Sequence, residues 1–465
     1  MLANGHNPLC RPRVRQCGQA VAPAALAMLL WTGCARPGDP LIHQIVSDIS
    51  EESIRTSVAT LAAFGTRHTT SETEREDRGI GAARRWIKAE FDRYSAESGG
   101  RLQVEMQSYL QPADGRRIHR DVEIVNVVAT LPGLDPVGSG RVYVVSGHYD
   151  SIPSDPADFT SEAPGANDDA SGVAAVLELA RVMSKHSFEA TLVFAAVAGE
   201  EQGLYGSAHM AKKYKADGVN VAGMFTNDII GNTLGGNGIR DTTHVRVFSE
   251  GVPVVESTQE ERDLRLATGS ENDSPARQLA RFIDETADLY TPGFDVVLIY
   301  RRDRFLRGGD HTSFSKEGYT AVRFCEMNED YTHQHQDVRL ESGIQYGDLP
   351  YFVDYPYIAQ VARVNAAALA ALALAPAPPA NLRVITAKLE YTTTLQWDPG
   401  FEADHAGYEV VWRATTSPIW EHSQMLGVQT GCKHPLSKDN YIFGVRSIDK
   451  TGHRSVVAYP RPSRD

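Results

Sequence analysis

Arg141-Val142-Tyr143-Val144-Val145-Ser146-Gly147-His148-Tyr149-Asp150 decides how this chain is read. A continuous β-branched run suits a strand buried on both faces, as in parallel sheets covered by helices. The residues that end the run put an imidazole and a carboxylate at the carboxyl end of such a strand. Ligands on open α/β sheets gather at that end.

The same pattern recurs downstream. Residues 170–184 read as a helix, and Thr191 to Val197 as a second buried strand, running into Gly199-Glu200-Glu201-Gln202-Gly203. Residues 203–214 read as a helix, and Ala222 to Thr226 as a strand, running into Asn227-Asp228. Strand–helix alternation predicts an α/β fold with a mostly parallel, helix-covered central sheet. Upstream, Ile42, Ile45, Val46 and Ile49 recur at helical spacing, as do Ala82, Trp86, Ile87 and Phe91; strands are expected at 102–106 and 122–128. Further on, 251–275 reads as a polar, irregular insertion, followed by a helix over 275–290 and strands near 295–299 and 320–324. A long helix follows from Phe352 to Leu374. No segment past the N-terminus reads as long and apolar enough to span a bilayer.

At Ala375-Pro376-Ala377-Pro378-Pro379 the character changes. A stiff linker over 376–380 separates a domain at 40–375 from short alternating segments over 381–460. Those segments predict a C-terminal all-β sandwich.

The 465 residues carry 46 Lys plus Arg against 59 Asp plus Glu, a formal charge of −13. Phosphate contacts need a positive surface, so a general nucleic-acid binder is excluded. The five cysteines form no CxxC pair, which excludes a cysteine zinc finger and a disulfide framework. Arg11, Arg13 and Arg15 precede a short apolar run from Ala20 to Trp31, the pattern of an export signal over 1–34. Leu30-Trp31-Thr32-Gly33-Cys34 resembles a lipoprotein cleavage site, with Trp31 departing from it. The chain is therefore expected to be exported: an outer-membrane lipoprotein anchored through lipidated Cys34, periplasmic or secreted.

Chemistry-bearing residues fall at the strand ends. His148 has Asp150 two residues on, where a carboxylate can fix the imidazole tautomer. Asn167-Asp168-Asp169 precedes a helix; taken alone it reads equally as an N-cap. Glu200 and Glu201 end a buried strand, and adjacent buried acids are costly unless they hold a cation or a proton. Asp228 ends another strand, and Asp330-Tyr331-Thr332-His333-Gln334-His335-Gln336-Asp337 adds imidazoles. Together these nitrogen and oxygen donors suit two zinc ions, with one carboxylate left over as general base.

The order His148-x-Asp150, Asn167-Asp168-Asp169-x-Ser171-Gly172, Gly199-Glu200-Glu201-x-Gly203, Asn227-Asp228 and a late His resembles the co-catalytic di-zinc exopeptidases of metallopeptidase family 28, which include aminopeptidases and glutamate carboxypeptidase-like enzymes. Gly309-Asp310-His311-Thr312-Ser313-Phe314 resembles the family's Ser-Asp-His-x-x-Phe stretch, with Gly309 in place of Ser. The resemblance covers about residues 40–375. It implies that His148 and Asp228 bind one zinc, Asp168 bridges both, and Glu201 and a late histidine bind the other. It implies Glu200 as general base, Asp150 as the residue orienting His148, and a cis peptide between Asp168 and Asp169. His335 is the preferred late ligand and His333 the alternative. His311 is a candidate for substrate contact or support of the site.

The segment carrying Leu382-Arg383-Val384, Leu395-x-Trp397, Gly407-Tyr408-Glu409-Val410 and Tyr441-x-Phe443-x-Val445 resembles a fibronectin type III module. The implied activity is hydrolysis of peptide substrates by a zinc-dependent exopeptidase, an aminopeptidase by preference, through a di-zinc-bound water. Competing readings are a carboxypeptidase of the same family, a glutaminyl cyclase-like acyltransferase and a non-catalytic binding ectodomain.

Overall fold

A computed structural model describes residues 38–134, 140–255 and 258–465. The export segment and Cys34 lie outside the described residues. Helices α1 (Pro40–Ser47), α2 (Glu51–Ala63) and α3 (Gly79–Glu97) come first. Asp39 and Ser50 start α1 and α2 by accepting hydrogen bonds from Leu41 and Ser53, satisfying amides that a helix N-terminus leaves open. Strands β1 (Gln103–Gln111) and β2 (Val122–Leu131) pair antiparallel.

The alternating stretch then follows: β3 (Val142–His148), α4 (Ala170–Met183), β4 (Thr191–Val197), the short turn α5 (Glu200–Gly203), α6 (Tyr205–Ala216) and β5 (Val221–Asn227). Next come β6 (His244–Ser249), α7 (Gln259–Thr268), α8 (Pro275–Tyr290), β7 (Asp295–Ile299), α9 (His311–Lys316) and β8 (Ala321–Cys325). A small hairpin, β9 (Arg339–Glu341) with β10 (Ile344–Tyr346), leads to α10 (Tyr355–Leu374).

The central sheet has eight strands in the order β1-β2-β4-β3-β5-β8-β6-β7. Its middle, β4-β3-β5-β8, is parallel, and antiparallel pairings join β2 to β4 and β8 to β6. The sheet is thus mixed, with a parallel core where the β-branched runs lie. Six of the seven residues of β3 and of β4 are buried. Helices from both ends of the chain cover the sheet, and α4 is buried almost throughout.

Three expectations change. The stretch 251–275 is not wholly irregular: Thr258 caps α7, none of whose residues is buried, so no apolar stripe announces it. Strand β6 is short and set between turn residues, so no pattern announces it, although Val245, Val247 and Phe248 are core. Helix α10 is long and apolar enough to cross a membrane by length and composition, but 78% of its most apolar window is buried. It packs against α1, α2, α4 and α8 as a core helix.

Seven further strands follow: β11 (Arg383–Ile385), β12 (Thr393–Gln396), β13 (His405–Ala414), β14 (His422–Gly427), β15 (Gly431–His434), β16 (Tyr441–Asp449) and β17 (Arg461–Ser463). They form a four-stranded sheet, β15-β12-β11-β17, and a three-stranded sheet, β14-β13-β16. Leu395 and Trp397 from the first side pack with Tyr408, Val410, Phe443 and Val445 from the second, giving one shared core. The Pro/Ala stretch does not hold this part away. Pro376 and Pro379 are buried, and Arg413 donates two hydrogen bonds to Asp273, at 2.9 and 2.8 Å. Arg446 likewise reaches Glu285 on α8.

Candidate metal centre

β3 has β4 on one side and β5 on the other, although β4 and β5 follow it in sequence. The connections therefore diverge at the carboxyl end of β3 and open a crevice there. His148 is the last residue of β3, Glu200 and Glu201 follow β4, and Asp228 follows β5. Asp168 and Asp169 sit in the turn before α4, joined by a cis peptide.

Two groups of donor atoms result. His148, Asp168 and Asp228 form one, and Asp168, Glu201 and His335 the other; within each, the atoms lie within 4.8 Å of one another. His148 Nε2 is 3.0 Å from Asp168 Oδ1 and 4.0 Å from Asp228 Oδ1. His335 Nε2 is 3.0 Å from Asp168 Oδ2 and 2.9 Å from Glu201 Oε1. Asp168 thus turns one oxygen to each group. Atoms at about 2.0–2.1 Å from one tetrahedral ion would be about 3.3 Å apart, close to these separations.

The charge balance also fits cations. Asp168, Asp169, Glu201 and Asp228 are all buried. Burial, with Asp228 and Asp168 beside it, pushes the Asp169 carboxyl well above its ordinary range. Burial, with Asp228 and Glu201 beside it, does the same to Glu200. Burial disfavours a charged ring at His335, yet Glu201 and Asp168 hold its pKa up at about 11. Buried carboxylates at this density need positive charge, and the donor set is the nitrogen–oxygen set that zinc accepts.

The supporting residues show why the local sequence is as it is. His148 Nδ1 meets the main-chain carbonyl of Asp150 at 3.2 Å and its carboxylate Oδ1 at 3.5 Å, and that carboxylate accepts the Glu200 and Glu201 backbone amides at 3.3 and 3.1 Å. One acid therefore steadies both a ring and the turn carrying the two glutamates. Asp169 caps α4 through Gly172 and accepts the His148 amide at 2.9 Å, tying strand end to helix start. Gly172 is required there: a Cβ would lie 2.3 Å from the Asn227 carbonyl oxygen. His335 has φ +51, an unusual conformation for a residue with a Cβ. His333 stands apart from both groups, stacked on Phe352 at 3.6 Å between ring centres. His311 also lies outside them; Nε2 is 2.9 Å from the Arg302 carbonyl and 3.3 Å from Asp303, and burial lowers its pKa to about 4.

Several residues at the site carry no sequence motif. Arg67, wholly buried, donates to the carbonyls of Tyr149, Leu61, Pro164 and Gly165 and so holds the loop before Asp168. Asp348 accepts the amides of Asn167 and Asp168. Gln334 Nε2 donates to Asp168 Oδ2 at 2.8 Å. Arg323 Nη2 lies 2.8 Å from Asp228 Oδ1. A cavity of about 320 Å³ opens over Asp168, Glu200, Glu201 and Asp228 and is also lined by Arg117, Arg304 and Arg307.

Residues 126–342 match the model of peptidase family M28. The chain is 49% identical over 430 residues to a probable zinc metalloprotease of Pyricularia oryzae, covering 91% of this chain and 85% of that one. It is 46% identical over 430 residues to a probable zinc metalloprotease of Pyrenophora teres f. teres, covering 92% and 88%. The crystal structure of LapB from Legionella pneumophila shares the fold, with a TM-score of 0.52 at 18% identity over 72% of this chain and 75% of that one. The match over residues 126–342 and the identity to these relatives along nine-tenths of the chain show that it belongs to peptidase family M28.

Proposed function

We propose that this protein is a zinc-dependent exopeptidase with two zinc ions, acting on peptides and by preference as an aminopeptidase. The observation that carries the reading is the pair of donor groups sharing Asp168, with Glu200 on the same cavity and outside both groups. The naming of relatives as zinc metalloproteases supports the metal. His148, Asp168 and Asp228 would hold one ion, and Asp168, Glu201 and His335 the other. When bound, such a pair polarises a peptide carbonyl and acidifies water.

The chain's own residues do the rest. Glu200 takes the proton of the attacking water and returns it to the leaving amine, work suited to a carboxylate whose pKa is lifted by burial. Asp150 fixes the ring of His148 at Nδ1, through its main-chain carbonyl with its carboxylate close by, and keeps Nε2 turned to Asp168. Gln334 and Asp348 hold Asp168 from two sides, which keeps its two oxygens divided between the groups.

Export remains part of the reading, supported by the basic and apolar run over residues 11–31. The C-terminal sheets are read as a fibronectin type III-like module; their seven strands in a four-plus-three arrangement support it.

The test is metal content by mass spectrometry together with hydrolysis of aminoacyl-anilides and short peptides, for wild type and Glu200→Gln. Two zinc ions per chain in both, with activity lost only in the variant, is the expected result. Full metal loading with no hydrolysis of any peptide by the wild type overturns the reading.

A further inference from the structure

A second, much smaller cavity of about 10 Å³ shares Asp168 and Gln334 with the larger one and is also lined by Asn167, Asn232, Glu326 and Asp348. That is the space one water molecule needs. Glu326 stands one residue past β8 and is wholly buried. Its Oε2 accepts the Asn167 side-chain amide at 2.9 Å and the Asn232 backbone amide at 2.7 Å. Its Oε1 is buried too, and no group among the described residues bonds to it. Gln334 is the counterpart: Nε2 donates to Asp168 Oδ2 at 2.8 Å, while its buried Oε1 has no partner. Two side chains that line one small cavity thus each bring an unpaired oxygen, and an unpaired buried oxygen carries its full desolvation cost. The two oxygens do not bond each other, so one molecule with two to four hydrogen bonds to make would satisfy both.

We propose that a buried water joins Glu326 Oε1 to Gln334 Oε1, and that Glu326 is through it a positioning residue for Asp168. This rests on the reading of Asp168 as the shared metal ligand. A cation is the other occupant that two oxygens could suit. Among the described residues, however, ligand atoms converge as a metal requires only in the two groups that share Asp168; Glu326, Glu329, Asp330 and Asp348, which also line the small cavity, form no third group. Burial also pushes the Glu326 carboxyl well above its ordinary range, although the Asn167 and Asn232 donors pull it down. A neutral carboxylic acid donates as well as accepts, so it can give its proton to the water oxygen, and the water can then donate to Gln334 Oε1. That fixes which face of the Gln334 amide meets Asp168, since the reversed amide would set an oxygen against a carboxylate. The links close a ring. Glu326 also holds Asn167, whose own Oδ1 accepts the Gly231 amide at 2.6 Å and whose peptide leads into Asp168. Asp168 is thereby held at its main chain and at its carboxylate by one acid.

The direct test is a high-resolution crystal structure of the wild-type protein. An ordered water within hydrogen-bond distance of both oxygens is expected; an empty cavity, or an ion in it, overturns the proposal. Zinc affinity, by competition with a chelator, and kcat and KM are then compared for Glu326→Gln, Glu326→Leu, Gln334→Met and the double variant Glu326→Leu/Gln334→Met. Glu326→Leu is expected to weaken zinc binding about tenfold and to lower kcat about tenfold with KM little changed. Glu326→Gln, neutral and of the same shape, is expected to recover both to within about threefold. The double variant should lose about fivefold less than the product of the single losses, because each single change already breaks the common link. Losses that multiply, or a Glu326→Gln as defective as Glu326→Leu, overturn the proposal. If no zinc binds and no peptide is hydrolysed, the peptidase reading falls by itself. Urea denaturation of the metal-free variants then decides this one: a destabilisation of the double variant smaller than the sum of the singles supports it, and one equal to the sum overturns it.

Discussion

Arg323 and Asp228 form a buried ion pair, Nη2 to Oδ1 at 2.8 Å, between the last strand of the parallel core and the end of its neighbour. The guanidinium also meets Asp303 at 3.1 Å and the Gly308 carbonyl at 2.9 Å, and it is fully excluded from solvent. A Cβ on Gly309 would stand 2.8 Å from Arg323 Nη1 and 3.1 Å from Asp228 Oδ2. The departure from serine at this position thus has a physical counterpart: glycine leaves the space that a buried arginine fills.

Arg323→Met is expected to lower stability by about 3–5 kcal/mol, because Asp303 and Asp228 stay buried after their common partner is gone. Urea denaturation of the metal-free protein measures it. Gly309→Ala should act in the same direction by about 1–3 kcal/mol through crowding. Wild-type stability in both variants would show that the pair is not a structural element.

On the proposed two-zinc reading, His335→Ala is expected to leave one zinc per chain against two in the wild type, and to cost at least a hundredfold in kcat. His333→Ala should keep both ions and lose only its stacking on Phe352, about 1 kcal/mol. Metal analysis after dialysis separates the two; a full complement in His335→Ala removes that residue from the ligand set.

Chelation is expected to lower Tm by several degrees, because ligands that bind only the folded state stabilise it by mass action. The loss should be smaller in Asp228→Asn, which starts with a weaker site and fewer buried charges to hold apart. Calorimetric scans with and without chelator test this, and an unchanged wild-type Tm counts against any tightly held ion.

Asp284 on α8 carries a pKa raised to about 7 by burial and by the nearby Asp288, Asp295 and Glu285. The folded state therefore holds a proton that the unfolded chain releases near pH 4. Stability from this group is fully present below the unfolded value and is lost as pH rises toward about 7. Asp284→Asn should flatten that loss, by about 1 kcal/mol at pH 8 after allowing for partial exposure. Denaturation at pH 5 and pH 8 checks it; parallel curves for wild type and variant would contradict it.

Asp273 holds Arg413 of the C-terminal sheets and Arg281 of α8 at once. Asp273→Ala should cost about 3–5 kcal/mol, since two buried guanidiniums lose their acid. Thermal unfolding of the wild type is expected as one transition, and of the variant as two, with the β part melting first. A single unshifted transition in the variant would show that the docking does not depend on this pair.

The strand-end residues were legible because a strand ending in a polar triplet is a local event. His148, Asp168, Glu200, Glu201 and Asp228 each follow or precede an element whose apolar pattern can be read within about ten residues. The choice between His333 and His335 was not local. Both lie in one polar loop, and the left-handed φ at His335, with Asp168 and Glu201 waiting across the cavity, separates them. Helix α7 and strand β6 escaped for a related reason: one has no buried face, and the other is short and set between turns.

By itself the sequence determined the α/β core, the order of the acids and histidines, and the nitrogen–oxygen character of the site, because these follow from hydrophobic patterning and donor chemistry. Only the tertiary structure decided what stands around them. Arg67, Arg323, Arg304, Arg307 and Asp348 reach the site from distant parts of the chain, and a guanidinium's partners depend on which buried carboxylates the fold brings within about 3 Å of it.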